Sequence, residues 1–178
     1  FEFSAITLIL TNFLKYKFWI VILLQLGWIF DLMDGMLARY KKMGFFSPNN
    51  PSIKGFYLDA VSDHVLKILV IGALTFQLSK QHEFGIYLGL IFIVIHSITQ
   101  LEYSMRNYIL LSTNRVKKKQ DPKEYNLITQ FVLISNNIYL FYLIFIPINR
   151  IDLLFITFGI CELLIFIKRI FHFWRSEN

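Results

Sequence analysis

The sequence predicts an all-α membrane protein in which six transmembrane helices form a single domain over residues 1–178. Hydrophobic residues make up 56% of the chain, above the roughly 45–50% of an ordinary soluble domain. Only 17% of the residues are charged, the mean hydropathy is +0.53, and the apolar residues come in long runs. The basic residues cluster at the ends of these runs, as topology signals facing anionic lipid do, which argues against nucleic-acid binding.

A tight basic turn separates the first two predicted spans. Residues 1–14 are apolar but extend only about 21 Å, short of the roughly 30 Å hydrocarbon core of a bilayer. Because the chain begins at Phe1 and not at Met, we expect these residues to be the remainder of a truncated first span. Lys15 and Lys17 mark the turn, and the second span covers residues 18–39.

Polar or charged segments separate the remaining spans. A loop rich in Pro and Asn occupies residues 40–54, where Pro48 and Pro51 break helical structure. A charged connector occupies residues 115–125. The remaining predicted spans are 55–78, 86–111, 126–146 and 153–173.

Six spans place the loops on alternating sides of the membrane, and the basic residues divide unequally between the two sides. One side carries Lys15, Lys17, Lys80 and Arg150, and the other carries the remaining fourteen of the eighteen Lys and Arg residues. The positive-inside rule makes the second side cytoplasmic, so both termini are predicted to lie in the cytoplasm.

Four aspartates stand at helical spacings at the predicted cytoplasmic ends of spans two and three. Asp31 and Asp34 end span two, and Asp59 and Asp63 begin span three. Because charged groups in membrane helices are costly, these carboxylates call for a functional explanation. Each pair shares one helix face with small or polar residues, which are Gly35, Ala38 and Arg39 on span two and Gly55, Ser62 and Lys67 on span three.

The four carboxylates predict a site for divalent cations. Oxygen-only ligands favour Mg²⁺ or Mn²⁺, two of these ions would cancel the negative charge, and no His or Cys set points to zinc. Paired cations suit phosphoryl transfer because they clamp the attacking and the leaving oxygens. Gly35 and Ala38 leave room for a phosphorylated ligand to approach the backbone, and Arg39 can pair with phosphate.

These residues form a longer pattern that resembles the signature of the CDP-alcohol phosphatidyltransferase family. The pattern reads Asp31-x-x-Asp34-Gly35-x-x-Ala38-Arg39 and then Gly55-x-x-x-Asp59-x-x-x-Asp63, with all eight signature residues present. One difference lies between Arg39 and Gly55, where this chain has fifteen residues, more than the family usually has. The extra length falls in the polar loop, where insertions are tolerated.

The resemblance implies that a CDP-linked donor binds with its pyrophosphate on the metal ions, that an alcohol attacks the phosphorus distal to cytidine, and that CMP leaves. By the same resemblance Asp31, Asp34, Asp59 and Asp63 are metal ligands, and Asp63 is also the general base. Lys67, Arg106 and Arg115 are candidate contacts to a charged acceptor, although Lys67 can instead neutralise the aspartates and the arginines can be topology signals alone. The implied CDP-alcohol-binding residues are Asp31, Asp34, Gly35, Ala38, Arg39, Ser52 and Gly55.

We therefore expect an integral membrane enzyme of phospholipid biosynthesis, in the bacterial inner membrane, with its site facing the cytoplasm. The resemblance also implies a homodimer. The preferred donor is CDP-diacylglycerol, and the acceptor is a small polar alcohol that the sequence does not identify. Two alternatives stay open: a CDP-choline or CDP-ethanolamine phosphotransferase acting on a lipid alcohol, and a divalent-cation transporter whose aspartates form an ion path.

Two further acids, Glu102 and Glu162, lie inside predicted spans four and six. They are either functional groups or partners of a nearby Arg or Lys. His64 and His96 are expected to be packing residues.

Overall fold

The structure, a computed structural model, describes residues 1–41, 53–112 and 137–177. Within these ranges the chain forms five α-helices and no strands, which confirms the all-α class for this part of the protein. The helices are α1 (Glu2–Tyr40), α2 (Ile53–Gln81), α3 (Gly85–Ser112), α4 (Ile138–Phe145) and α5 (Ile151–Glu177).

Helix α1 changes direction at the turn that the sequence predicts. Asn12 (φ −144°, ψ 51°) and Tyr16 (φ −113°, ψ 15°) both have non-helical dihedral angles. The rings of Phe1 and Phe30 stack with their centroids 5.2 Å apart, although a straight helix would separate them by roughly 40 Å. The first arm of α1, residues 2–11, therefore folds back against the second arm, residues 17–40, as a helical hairpin.

In the part of the chain that the structure describes, three helical stretches are long and apolar enough to cross a membrane: Glu2–Asp34, which covers both arms of α1, Val61–Gln81 and Gly85–Met105. Helices of this length and composition support an integral membrane protein. Six spans and the orientation of the termini stay predictions.

Helices α2 and α3 form an antiparallel hairpin around a short turn at residues 82–84. Gly85 fits this turn because a Cβ atom there would lie 2.5 Å from the carbonyl carbon of Leu78. Gly89, one turn further along α3, faces the side chain of Thr75 so closely that a Cβ atom would overlap it. The two helices thus approach each other through positions without side chains.

Helices α3 and α5 run parallel, because Phe92 of α3 packs against both Phe155 and Phe158 near the start of α5 while His96 meets Glu162 one turn later. Short helix α4 contacts both α1 and α5. All five helices contribute to one apolar core, whose fully buried side chains include Ile9, Ile20, Leu24, Ile71, Leu74, Phe92, Tyr142, Leu154 and Phe158.

Polar side chains tie the helices together inside this core. The side-chain amide of Gln77 on α2 donates a hydrogen bond to the carbonyl oxygen of Ile9 at 2.5 Å. The amide of Gln25 on α1 donates to the carbonyl oxygen of Tyr139 on α4 at 2.6 Å. Hydrogen bonds of this kind fix the relative positions of helices because an unpaired amide in an apolar interior is costly.

The close approach of α2 and α3 leads us to predict different stability effects for substitutions at two glycines. Gly89→Ala should lower the stability by about 1–3 kcal/mol, because the new methyl group meets the stiff side chain of Thr75. Gly72→Ala is the matched control, since a Cβ atom there would have no neighbour within 4 Å and alanine is the better helix former. Thermal denaturation of the detergent-solubilised variants measures both effects. Equal losses of stability in the two variants would contradict the close packing of Gly89 on Thr75.

Candidate functional site

Two of the predicted site carboxylates line a single cavity of about 220 Å³. Asp31 reaches it from the second arm of α1, and Asp63 reaches it from α2. Both residues lie at the end of a long apolar stretch of their helix, so the helix hairpins that pack the core also bring these two side chains to one place. This cavity is the candidate functional site.

The other predicted site residues are distributed around this pair. Asp34 lies about one turn after Asp31, is exposed, and does not line the cavity. Lys67 lies about one turn after Asp63, is half-buried, and does not line the cavity either. The side chains of Gly35, Ala38 and Arg39 on α1, Gly55 and Asp59 on α2 and Arg106 on α3 lie outside the described part, as do Ser52 and Arg115 entirely.

Two polar residues that the sequence analysis did not single out line the same cavity. Glu2 comes from the first arm of α1 and Tyr139 from α4, and the tyrosine hydroxyl donates a hydrogen bond to Glu2 Oε1 at 2.6 Å. Tyr139 is itself held by Trp28, whose ring stacks on it with centroids 6.0 Å apart. Glu2 could have been identified from the sequence as a lone acid in an apolar run, which is a sign of a functional group. Its partner lies 137 residues away and carries no signal of its own.

Gly27 explains how Glu2 comes so near the second arm of α1. A Cβ atom at this position would lie 2.9 Å from Cγ of Glu2, closer than real side chains approach each other. The glycine therefore leaves the space in which the Glu2 side chain lies, and Gly27 itself lines the cavity.

Aromatic rings form much of the remaining wall. Phe1, Phe3 and Phe30 line the cavity and are 55%, 67% and 52% exposed, so they stand at its open side. Leu66, on α2, contributes an apolar patch. The cavity thus combines three carboxylates and a phenol with a largely aromatic surface.

Comparison with known proteins identifies the family. A sequence model of the CDP-alcohol phosphatidyltransferase family matches residues 1–167. The chain belongs to the CDP-alcohol phosphatidyltransferase family. This confirms the resemblance inferred from the aspartate pattern. No curated protein and no solved structure matches the chain.

Membership of the CDP-alcohol phosphatidyltransferase family defines the broad chemistry. The family comprises membrane transferases of phospholipid synthesis that use CDP-alcohol donors, alcohol acceptors and divalent cations. The carboxylate oxygens of Asp31, Asp34 and Asp63 are the donor type that hard divalent cations prefer. Among the side chains that the structure describes, which exclude Asp59, no three His, Cys, Asp or Glu residues converge to hold a metal ion.

A second polar cluster adjoins α2 close to the site. His96 Nδ1 and Glu162 Oε1 are 2.7 Å apart, and each side chain is only 2% exposed. The ring of His64, the residue after Asp63, stacks on the ring of His96 with centroids 5.8 Å apart. The cluster therefore links α2, α3 and α5 at the level of the candidate site.

The half-buried Glu102 and the buried Glu162 differ in their partners. Glu102 lies 3.7 Å from Arg169, as the expectation of an Arg or Lys partner required. Glu162 pairs with His96 instead, so of the two alternatives given for this residue the Arg or Lys partner is not the one found. The sequence could not reveal this pairing because 66 positions separate the two residues.

The His96–Glu162 pair leads to a stability prediction. Glu162→Leu should cost about 1–3 kcal/mol, because it leaves His96 buried without its hydrogen-bond partner. The double variant Glu162→Leu, His96→Leu should recover part of that loss, since removing both polar groups avoids an unsatisfied one. Thermal denaturation in detergent provides the measurement. If the double variant loses as much stability as the two single variants together, or more, the two residues are not coupled in this way.

A half-buried acid at the start of α5 serves as the control for that series. Asp152 accepts hydrogen bonds from the Arg150 guanidinium at 3.0 and 2.9 Å, and these bonds lower the pKa of the Asp152 carboxyl. Because this pair is solvent-accessible, Asp152→Asn should cost less than about 1 kcal/mol.

Proposed function

We propose that this protein transfers a substituted phosphate group from a CDP-alcohol to a small polar alcohol and releases CMP, as a step of phospholipid biosynthesis. CDP-diacylglycerol is the preferred donor. The observation that carries the proposal is the cavity shared by Asp31 and Asp63, in a chain that belongs to the CDP-alcohol phosphatidyltransferase family. Two carboxylates from different helices beside one small cavity provide the groups that this transfer needs.

Asp63 acts as the general base of the reaction. It accepts the proton of the acceptor hydroxyl, which requires that the hydroxyl come within hydrogen-bond reach of the carboxylate. The hydroxyl oxygen forms a bond to the phosphorus distal to cytidine, and the bond between that phosphorus and the CMP oxygen breaks. The proton ends on Asp63, and CMP departs with the electron pair of the broken bond.

The four aspartates hold the divalent cations. Asp31, Asp34, Asp59 and Asp63 supply only carboxylate oxygens, which fit two Mg²⁺ or Mn²⁺ ions. When bound, the ions neutralise the pyrophosphate and stabilise charge on the attacking and leaving oxygens. The two half-sites come from different helices, with Asp31 and Asp34 on α1 and Asp59 and Asp63 on α2.

The remaining motif residues bind the substrates. Gly35 and Ala38 admit the nucleotide close to the backbone of α1, and Arg39 pairs with phosphate. Ser52 and Gly55 complete the donor site at the start of α2. Lys67, Arg106 and Arg115 are the candidate acceptor contacts and would suit an acceptor that carries a phosphate.

The proposal includes the arrangement in the membrane. Residues 1–178 form one domain with six spans, and both termini lie in the cytoplasm. The enzyme is a homodimer in a bacterial inner membrane, and the site faces the cytoplasm, where CDP-linked donors and polar alcohols are accessible. The fold-back of α1 supports two spans within that helix.

Replacing the proposed base tests the assignment of Asp63. Asp63→Asn should reduce CMP release by at least about 100-fold, because an amide cannot accept the hydroxyl proton, while binding of the CDP donor stays largely intact. Radiolabelled CMP release and equilibrium binding of the donor measure the two properties. Asp152→Asn makes the same chemical change at a half-buried position that does not line the cavity, and it should leave turnover unchanged. Wild-type activity in Asp63→Asn would reject the assignment.

Removing the cations tests the metal dependence and the alternative functions together. A chelator should abolish CMP release, and Mg²⁺ or Mn²⁺ should restore it. Release from CDP-diacylglycerol plus polar alcohols, compared with CDP-choline plus diacylglycerol, separates the proposed reaction from the phosphotransferase alternative. Cation flux into liposomes without any dependence on a CDP compound would instead identify a transporter.

A further inference from the structure

The cavity beside Asp63 contains one carboxylate more than the proposed cation site uses. Asp31 and Asp63 belong to the aspartate set whose charge the divalent cations cancel. Glu2 lines the same cavity but comes from the first arm of α1, outside that set. A carboxylate at this position adds a negative charge that the cations do not neutralise.

The surrounding residues hold Glu2 in place. Tyr139 donates a hydrogen bond to Oε1 of Glu2 at 2.6 Å, and Gly27 leaves the space in which the side chain lies. Trp28 stacks on Tyr139, and Gln25 donates a hydrogen bond to the Tyr139 carbonyl oxygen. Because a carboxylate can accept about four hydrogen bonds, the one that Glu2 receives from Tyr139 within the described part of the chain leaves acceptor capacity for a ligand.

Aromatic rings surround this charge. Phe1, Phe3, Phe30 and Tyr139 all line the cavity with Glu2. Aromatic faces attract cations through their quadrupoles, and proteins commonly bind quaternary ammonium groups in cages of aromatic rings. Among the described residues of the lining there is no Lys, Arg or His. A lining with three carboxylates and no described basic side chain favours a cationic ligand over an anionic one.

The size and position of the cavity relate it to the reaction. Its volume of about 220 Å³ is below the roughly 300–1,000 Å³ of pockets for drug-sized ligands, so it suits a small head group. Asp63, the proposed base, lines the cavity. An acceptor alcohol whose hydroxyl lies within hydrogen-bond reach of Asp63 would therefore have its head group in the cavity.

We propose that Glu2, positioned by Tyr139, is a specificity-determining residue and that this cavity takes a small alcohol bearing an ammonium group. The inference rests on the proposed function. The ammonium group can enter in two ways, either on the acceptor alcohol with CDP-diacylglycerol as donor or as the head group of a CDP-linked donor with a lipid alcohol as acceptor. The chemistry recognised is the same in both cases.

Binding tests the inference without turnover. In the full chain with Trp19→Phe and Trp174→Phe, Trp28 is the single tryptophan, and it stacks on Tyr139 beside the cavity. Choline should change the Trp28 fluorescence in a saturable way, whereas its neutral tert-butyl analogue, dimethylbutanol, should bind at least about tenfold more weakly. Glu2→Gln in the same background should remove the difference between the two compounds. Equal binding of choline and dimethylbutanol would overturn the proposal.

Turnover then separates the two sources of the ammonium group. CMP release is measured with CDP-diacylglycerol plus choline, ethanolamine, glycerol or glycerol phosphate, and with CDP-choline plus diacylglycerol. With whichever donor and acceptor pair the enzyme is active, Glu2→Gln should raise the KM for the ammonium-bearing substrate about tenfold and change kcat by no more than about twofold. The reason is that the Glu2 carboxylate binds the head group and not the reacting atoms. The KM for glycerol should not change.

Matched variants keep the result interpretable. Glu83→Gln makes the same change in an exposed acid of the α2–α3 turn and should leave every KM unaltered. Tyr139→Phe keeps the ring but loses the hydroxyl that holds Glu2, and it should raise the same KM by a smaller factor. This second variant tests the proposal even where Glu2→Gln lowers the thermal stability.

The outcomes distinguish this inference from the proposed function. CMP release that is fastest with glycerol phosphate would uphold the proposed function and overturn the inference. It would also favour Lys67, Arg106 and Arg115 as the residues that contact the acceptor. Choline binding that depends on Glu2, without CMP release from any donor, would uphold the inference as a binding site and count against the proposed function. An equal KM increase for choline and glycerol in Glu2→Gln would overturn the specificity role.

Discussion

Carboxylates within an apolar helix bundle need compensating partners, and this constraint organises the protein. Each unpaired charge in a membrane interior is expensive, so acids are retained only where other groups or bound cations offset them. Tyr139 provides a hydrogen bond for Glu2, His96 provides one for Glu162, and Arg169 provides a counter-charge for Glu102. Asp31 and Asp63 share a cavity, and in the function proposed here divalent cations offset part of their charge.

Helix α2 contributes residues to both polar regions of the bundle. One side carries Asp63 and lines the cavity, and His64, the next residue, stacks on the buried pair formed by α3 and α5. The buried pair therefore fixes the level at which α2 crosses the bundle. Because the cavity is built from side chains of α1, α2 and α4, a shift of α2 by one turn would separate Asp63 from Asp31.

The hairpin within α1 completes the site. Its second arm carries Asp31, and its first arm returns to place Glu2 beside Asp31, at a position where Gly27 leaves room. Short helix α4 closes the same region with Tyr139. A single small cavity thus receives groups from the start, the middle and the later part of the chain, which combines a proposed catalytic carboxylate with a proposed recognition element for the substrate head group.

Sequence alone determined the helical class, the turn near Tyr16 and the aspartate pattern that identifies the family, because these depend on local composition and on spacing along one helix. The partners of Glu2 and Glu162 and the joint cavity were decided by the tertiary structure. Glu2 and Tyr139 lie 137 positions apart, and His96 and Glu162 lie 66 apart. Helical periodicity places residues on a face but does not say which face of another helix they meet, and that choice depends on how the whole apolar core packs.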